Sequence, residues 1–174
     1  SPDVTVSFLT LNVQEEGENR VGVRGATGSE ATDFYKVSAT HRDGYWTQGN
    51  LTIFGHDAVA KARRCGEIVL DRLGQAGCSP ARSNVECLGT GASVAGMFPE
   101  PEGLLETVLR ISVADPRREV VERFSKELAP LITAGPQGVT GYAAGRPRVQ
   151  PVFGYWPCLI EKTAVEPVVE VFEV

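Results

Sequence analysis

The sequence lacks most of the marks by which a soluble enzyme declares its chemistry. Its four cysteines, Cys65, Cys78, Cys87 and Cys158, include no Cys-x-x-Cys pair, and its two histidines, His41 and His56, are not spaced like zinc ligands. A zinc site drawn from Cys78, Cys87, Cys158 and one histidine is the alternative to reduced, buried thiols; the spacing favours the thiols, so no metal is expected. No apolar run approaches the ~18 residues of a membrane-spanning helix, and no signal-peptide pattern opens the chain. A Gly-x-Ser-x-Gly elbow, a His-Glu-x-x-His pair and the kinase signatures are all missing. The formal net charge of −5 disfavours nucleic acid and anionic membrane as partners.

What is present is ordinary for a globular chain. The 174 residues are 42% hydrophobic and 22% charged, enough for one domain with a real core. The expectation is a soluble, cytoplasmic protein.

The first third reads as β-structure. VTVSFLTLNV (4–13) alternates with a phase slip at Phe8–Leu9, a strand with a bend. EEGEN turns the chain, RVGVRG returns it, and GATGSEATD has the composition of a surface loop. FYKVSATH and YWTQGNLTIF flank Asp43–Gly44, a hairpin signal that puts His41 on its tip.

The period then changes. Asp57 can cap a helix running to Leu73, with Ala58, Ala62, Cys65 and Val69 on one stripe of small residues suited to close packing on a sheet. Lys61, Arg63 and Arg64 lie largely on the other, solvated side. A second helix is expected over 116–134, with Asp115 as N-cap and Pro116 at the first helical position. LLETVLRISV (104–113) is a strand before it, and SNVECLG (83–89), VQPVFGYWPCLI and VEPVVEVFEV are further strands. Segment 51–73 aligns without gaps on 109–131, pairing Leu51 with Leu109 and Asp57 with Asp115. That match is either an internal β-α-β repeat or the pattern common to any strand feeding a capped helix. The architecture implied is α+β: a mixed, largely antiparallel sheet with two helices packed on one face. The expected core is Val37, Leu51, Ile53, Ala62, Cys65, Val69, Val108, Leu109, Ile111, Val120, Phe124, Leu128 and Leu131.

The candidate site rests on two glycine-rich loops and an aromatic segment. GTGASVAG (89–96) follows a strand but opens no helix and lacks the Lys-Ser/Thr of a phosphate loop, so neither nucleotide fingerprint is met. GPQGVTGYAAGRPR (135–148) carries Arg146 and Arg148, which suit a carboxylate or phosphate. In VFGYWPCLI (152–160), Pro157, with Pro147 and Pro151 before it, denies a central strand position. An edge segment with Cys158 buried and Tyr155 or Trp156 part-accessible is expected. Gly89, Gly91, Gly141, Tyr142, Arg146, Arg148, Tyr155 and Trp156 are therefore the candidate ligand-binding residues. Glu86 and Cys87 stand at a strand end, where active groups often sit, and His56 precedes a helix N-terminus; none is assigned a catalytic role.

Over nearly the whole chain, and most distinctively in YKVSAT, VADPRR, TGYAAGRP and FGYWPCLI, the sequence resembles the acyclic terpene utilisation protein AtuA family. The resemblance implies a bacterial-type cytosolic protein of acyclic terpene degradation (citronellol, geraniol), a route that runs through branched acyl-CoA esters. It carries over no catalytic residue and implies no cofactor. Similar members carry a long N-terminal region, and SPDVTVSF reads as interior sequence. The chain (1–174) is thus expected to be a single α+β domain forming the C-terminal part of a longer protein. Two functions stay open. One is a site for an acyl-CoA or terpenoid acid. The other is a non-catalytic module whose aromatic edge docks the N-terminal region, a partner subunit or a second copy.

Overall fold

The computed structural model describes residues 4–94, 96–141 and 145–172. In chain order its elements begin with β1 (Val4–Ser7), β2 (Asn12–Gly17), β3 (Arg20–Arg24), β4 (Thr27–Glu30) and β5 (Phe34–Phe54). Then come α1 (Ala58–Gln75), β6 (Arg82–Leu88), a 3-10 turn (Ala92–Val94), β7 (Glu106–Asp115), α2 (Arg118–Phe124) and α3 (Ala129–Ala134). β8 (Val139–Thr140), β9 (Gln150–Glu161) and a second 3-10 turn (Lys162–Ala164) follow. The chain forms two compact units, Ser1–Thr40 with Tyr155–Val174, and His41–Gly154.

The first unit holds two small antiparallel ladders, β1 with β4 and β2 with β3. Within it the Lys162 N–H donates to the Asp33 carbonyl at 2.9 Å, and the Ser38 hydroxyl meets the Tyr155 hydroxyl at 3.3 Å. It leaves apolar side chains in solvent, among them Phe8 and Leu9 between β1 and β2, Val21 and Val23 of β3, and Leu159 of β9.

The second unit contains the core. Its sheet runs β6–β7–β5–β8, with β9 also pairing β5. β7 sits antiparallel between β5 and β6, so β5–α1–β6 is a crossover split by the strand between its two arms. Period-2 alternation decides which face is covered. Thr107, Leu109, Ile111, Val113 and Asp115 of β7 are buried, while the intervening residues are only half-buried. Opposite them on the same face stand Thr47, Leu51 and Ile53 of β5 and Cys87 of β6.

Both helical segments bury their apolar residues in that one cluster, so they cover a single face, as an α+β chain of this pattern should. The small-residue stripe of α1 (Ala58, Ala62, Cys65, Gly66, Val69) lies flat against β6 and β7. A methyl group on Gly66 would stand 2.6 Å from Val85 Cγ1, which is how near the helix comes to the sheet. Val120, Val121 and Phe124 of α2 close the other end.

The structure corrects several expectations. Asp43–Gly44 turns no hairpin: β5 runs unbroken for 21 residues, which places His41 in mid-strand. Gly44 has φ +89, and a Cβ there would meet the Asp115 carbonyl at 2.8 Å. The glycine serves a close backbone approach to β7 rather than a chain reversal. GATGSEATD contains β4, held by pairing with β1. VEPVVEVFEV forms no strand through residue 172; residues 173 and 174 lie outside the described residues. Val37 is exposed, and Val108 is half-buried because it faces the side opposite its neighbour Leu109. Cys158 is exposed, 3.9 Å from the Val37 carbonyl. The segment VFGYWPCLI lies within β9, whose one partner among the described residues is β5.

The second long helix is broken into α2 and α3 around 125–128. Pro130 supplies the reason: it lacks the N–H that would bond residue 126, and its ring crowds that carbonyl. Asp115 is the last residue of β7 instead of a helix cap, and α2 is flanked by Arg117. Asp57 does stand at the start of α1, in a left-handed conformation and without a side-chain capping bond. The two aspartates thus take different places, and the alignment of 51–73 on 109–131 reflects shared pattern alone. The linking residues 125–128 are largely buried, and Glu127 fastens them: its buried carboxylate accepts from Arg72 of α1 and from Arg123 of α2, both at 2.6 Å.

Candidate functional site

The site begins with an interruption in the sheet. The Phe54 N–H donates to the Gly138 carbonyl at 3.0 Å, so even-numbered residues of β5 turn their backbone groups toward β8. Thr52 pairs with Thr140, the pairing with β8 stops there, and β9 does not begin until Gln150. At the far side the Thr47 hydroxyl donates to the Arg148 carbonyl at 2.9 Å. Between these anchors lies a cavity of about 610 Å³.

One wall of the cavity is the stretch Gln48–Gly49–Asn50–Leu51 of β5. Another is the helical segment, through Ser125, Leu128, Ala129 and Ile132. The third is Gly145–Arg146–Pro147–Arg148. The volume falls in the range of small-molecule sites, with apolar walls and few polar groups. Gly49 makes the space: a Cβ there would collide with Leu128 and come 2.9 Å from Pro147. Arg146 and Arg148 are exposed, and among the described residues neither has an ion pair. They give the third wall a cationic character that no carboxylate in the lining offsets.

Arg146 and Arg148 line the cavity, and Gly141 abuts it, since a Cβ there would lie 2.8 Å from Ile132 Cδ1. Tyr142 lies outside the described residues. Gly89 and Gly91 form the turn after β6, on the far side of β7 from β5, and do not line this cavity. Tyr155 and Trp156 belong to the other compact unit and are 54% and 65% exposed, so neither is a core aromatic.

Glu86 and Cys87 point to opposite faces of β6 and cannot act together. Glu86 accepts two bonds from the Arg110 guanidinium, at 2.7 and 3.0 Å, which holds its carboxyl below the usual range. Burial pushes the Cys87 and Cys65 thiols up, away from thiolate character. Among the described residues no cluster of His, Cys, Asp or Glu suits a metal ion, and no helix is long and apolar enough to cross a membrane.

Sequence reasoning missed Gly49, Asn50, Leu128 and Ile132 as lining residues. Gly49 carried a signal, because a glycine inside an alternating strand marks a close approach or an interruption.

These features define an α+β protein with a ligand-sized, partly cationic cavity at an interrupted sheet. The sequence profile described as acyclic terpene utilisation family protein AtuA matches residues 1–171, essentially the whole chain. The chain belongs to that family, and with it to acyclic terpene catabolism. No curated protein and no solved structure matches it.

Proposed function

We propose that the cavity beside β5 binds a branched terpenoid acid or its acyl-CoA ester. The observation that carries this reading is the pairing, in one space, of apolar walls with cations that have no ion pair among the described residues. Leu51, Leu128, Ile132 and Pro147 offer an aliphatic chain a dry surface, while Arg146 and Arg148 offer charge-assisted bonds to a carboxylate or to the phosphates of a CoA ester. Family membership supports the aliphatic part of this assignment. The site holds no assembled nucleophile or general base among its described lining residues, so the reading is of binding, with no reaction assigned.

Titration calorimetry with citronellic acid and with citronellyl-CoA tests it on the wild type and on the double variant Arg146→Gln/Arg148→Gln. Removal of both cations should weaken binding by at least tenfold, since one charge-assisted hydrogen bond is worth about 1.5–3 kcal/mol. Undiminished binding by the double variant would refute the assignment of the anionic end.

A second reading has its own observation. Tyr155, Trp156 and Leu159 of the first unit are each more than half exposed, and such aromatic surface suits a docking edge for another domain or a second copy. Gel filtration of Trp156→Ser against the wild type distinguishes it: a dimer lost in the variant would favour docking over ligand binding at that segment.

A further inference from the structure

The first unit is folded but holds no core. None of its described residues, 4–40 and 155–172, is buried, and β1–β4 and β2–β3 are two-stranded ladders, marginal in water without a covering surface. Within this unit lies a cavity of about 590 Å³, lined chiefly by residues 4–6 of β1, residues 34–36 of β5, Phe8 and Leu159. Consecutive side chains of a strand point to opposite faces, so a strand that lines a cavity with three residues in a row meets it at its edge. β1 has β4 as its one partner among the described residues. β7 and β8 join β5 only from Tyr45 onward, so at 34–36 the edge of β5 away from β9 is open among the described residues. The walls are mostly apolar, and Lys36 is the one charged residue in the lining. Lys36 is exposed and has no ion pair among the described residues.

The same unit carries a segment that complements this cavity. Residues 165–172 read VEPVVEVF, valines and a phenylalanine that favour a strand, with two glutamates between them, yet they pair with nothing. Val168, Val169, Val171 and Phe172 are between 77% and 89% exposed. Pro167 cannot donate to a ladder, so a strand formed here starts at Val168. Alternation then puts Val169 and Val171 on one face and Glu170 on the other. We propose that residues 168–172 insert as a strand into this cavity of a second copy, reciprocally, in a two-fold dimer. Main-chain bonds to an open edge provide the pairing, the valines meet the apolar wall, and Glu170 pairs with Lys36. A lone chain leaves segment and cavity both uncovered although they share one compact unit, which points to the segment of another copy as the occupant. The proposal is independent of the ligand assigned to the cavity beside β5 and of any docking through Trp156.

Sedimentation velocity on the full chain over a range of concentrations tests it. The wild type should dimerise. Lys36→Glu and Glu170→Lys should each weaken the dimer by about tenfold, since two exposed ion pairs become two repulsions. An equimolar mixture of these two variants should dimerise as the wild type does, because each cavity then meets a segment of opposite charge. Val169→Ser/Val171→Ser should lose the dimer. All four positions lie outside the buried core of the second unit, so the fold is retained in every variant. A wild type that stays monomeric, a dimer indifferent to these changes, or a mixture no tighter than either variant alone would overturn the proposal. A monomer destabilised by Val169→Ser/Val171→Ser would overturn it as well, and would assign the segment to the cavity of its own chain.

Discussion

Replacement of Asp115 by asparagine should cost the protein about 2 kcal/mol at neutral pH and almost nothing below pH 2. Asp115 ends β7 with its side chain 2% exposed and draws three elements together. Its carboxylate accepts from the Ala81 N–H at 2.9 Å, the Arg117 N–H at 2.8 Å and the Arg117 guanidinium at 2.9 Å. The guanidinium, with the two N–H groups behind it, lowers the carboxyl from the ordinary 3.8 to about 2. That difference corresponds to roughly 2.5 kcal/mol, and about 2 kcal/mol after allowance for Arg117 being 56% exposed and partly screened. Because the folded-state value is depressed, the contribution is fully present above the unfolded value near 4. It is lost as the pH falls toward 2. Urea denaturation of both proteins at several pH values between 2 and 7 gives the difference directly, and the comparison cancels the parallel titration of Glu86. A gap that is the same at pH 2.5 as at pH 7, or below ~0.5 kcal/mol at pH 7, would refute the assignment of that stability to the charged network.

Three further outcomes follow from the packing. Phe124→Ala should lose ~3–5 kcal/mol in chemical denaturation, because the ring is fully buried between α2 and the sheet. Glu127→Ala removes a buried carboxylate but leaves two guanidiniums that are 49% and 41% exposed and can rehydrate; a loss of ~1–3 kcal/mol is expected, at the low end for a broken buried pair. Gly49→Val should push Leu128 into the cavity, cost ~1–3 kcal/mol by overpacking and abolish citronellic acid binding by calorimetry, with the fold checked by circular dichroism.

The elements legible in the sequence were those whose local and tertiary signals agree. α1, β6 and β7 carry their period, and the small stripe of α1 foretold its contact with Val85. Misreadings arose where one residue type serves two purposes. An Asp-Gly pair reads as a hairpin, yet a strand that finds partners along its whole length can use the same glycine to admit a neighbouring carbonyl, as Gly44 admits that of Asp115. Asp115 itself looked like a cap because a carboxylate before Pro-Arg-Arg satisfies N–H groups in either role; its partners, Ala81 among them, are known only from the tertiary structure. At the site, Arg146 and Arg148 were legible as cations in a glycine-rich loop. Leu128 and Ile132 were not, because apolar residues on a helix face give no sign of whether a sheet or a vacancy lies opposite.

The break between α2 and α3 has a consequence for the stability of the cavity wall. α3 has six residues, too few to be stable as an isolated helix, and of them Leu131 alone is buried. It nevertheless carries Ala129 and Ile132 of the cavity wall. The free energy that unfastens this wall is therefore far smaller than the one that unfolds β5 and β7, and the two processes separate in amide exchange. The proline that interrupts the helix thus separates the local stability of this wall from that of the sheet it faces.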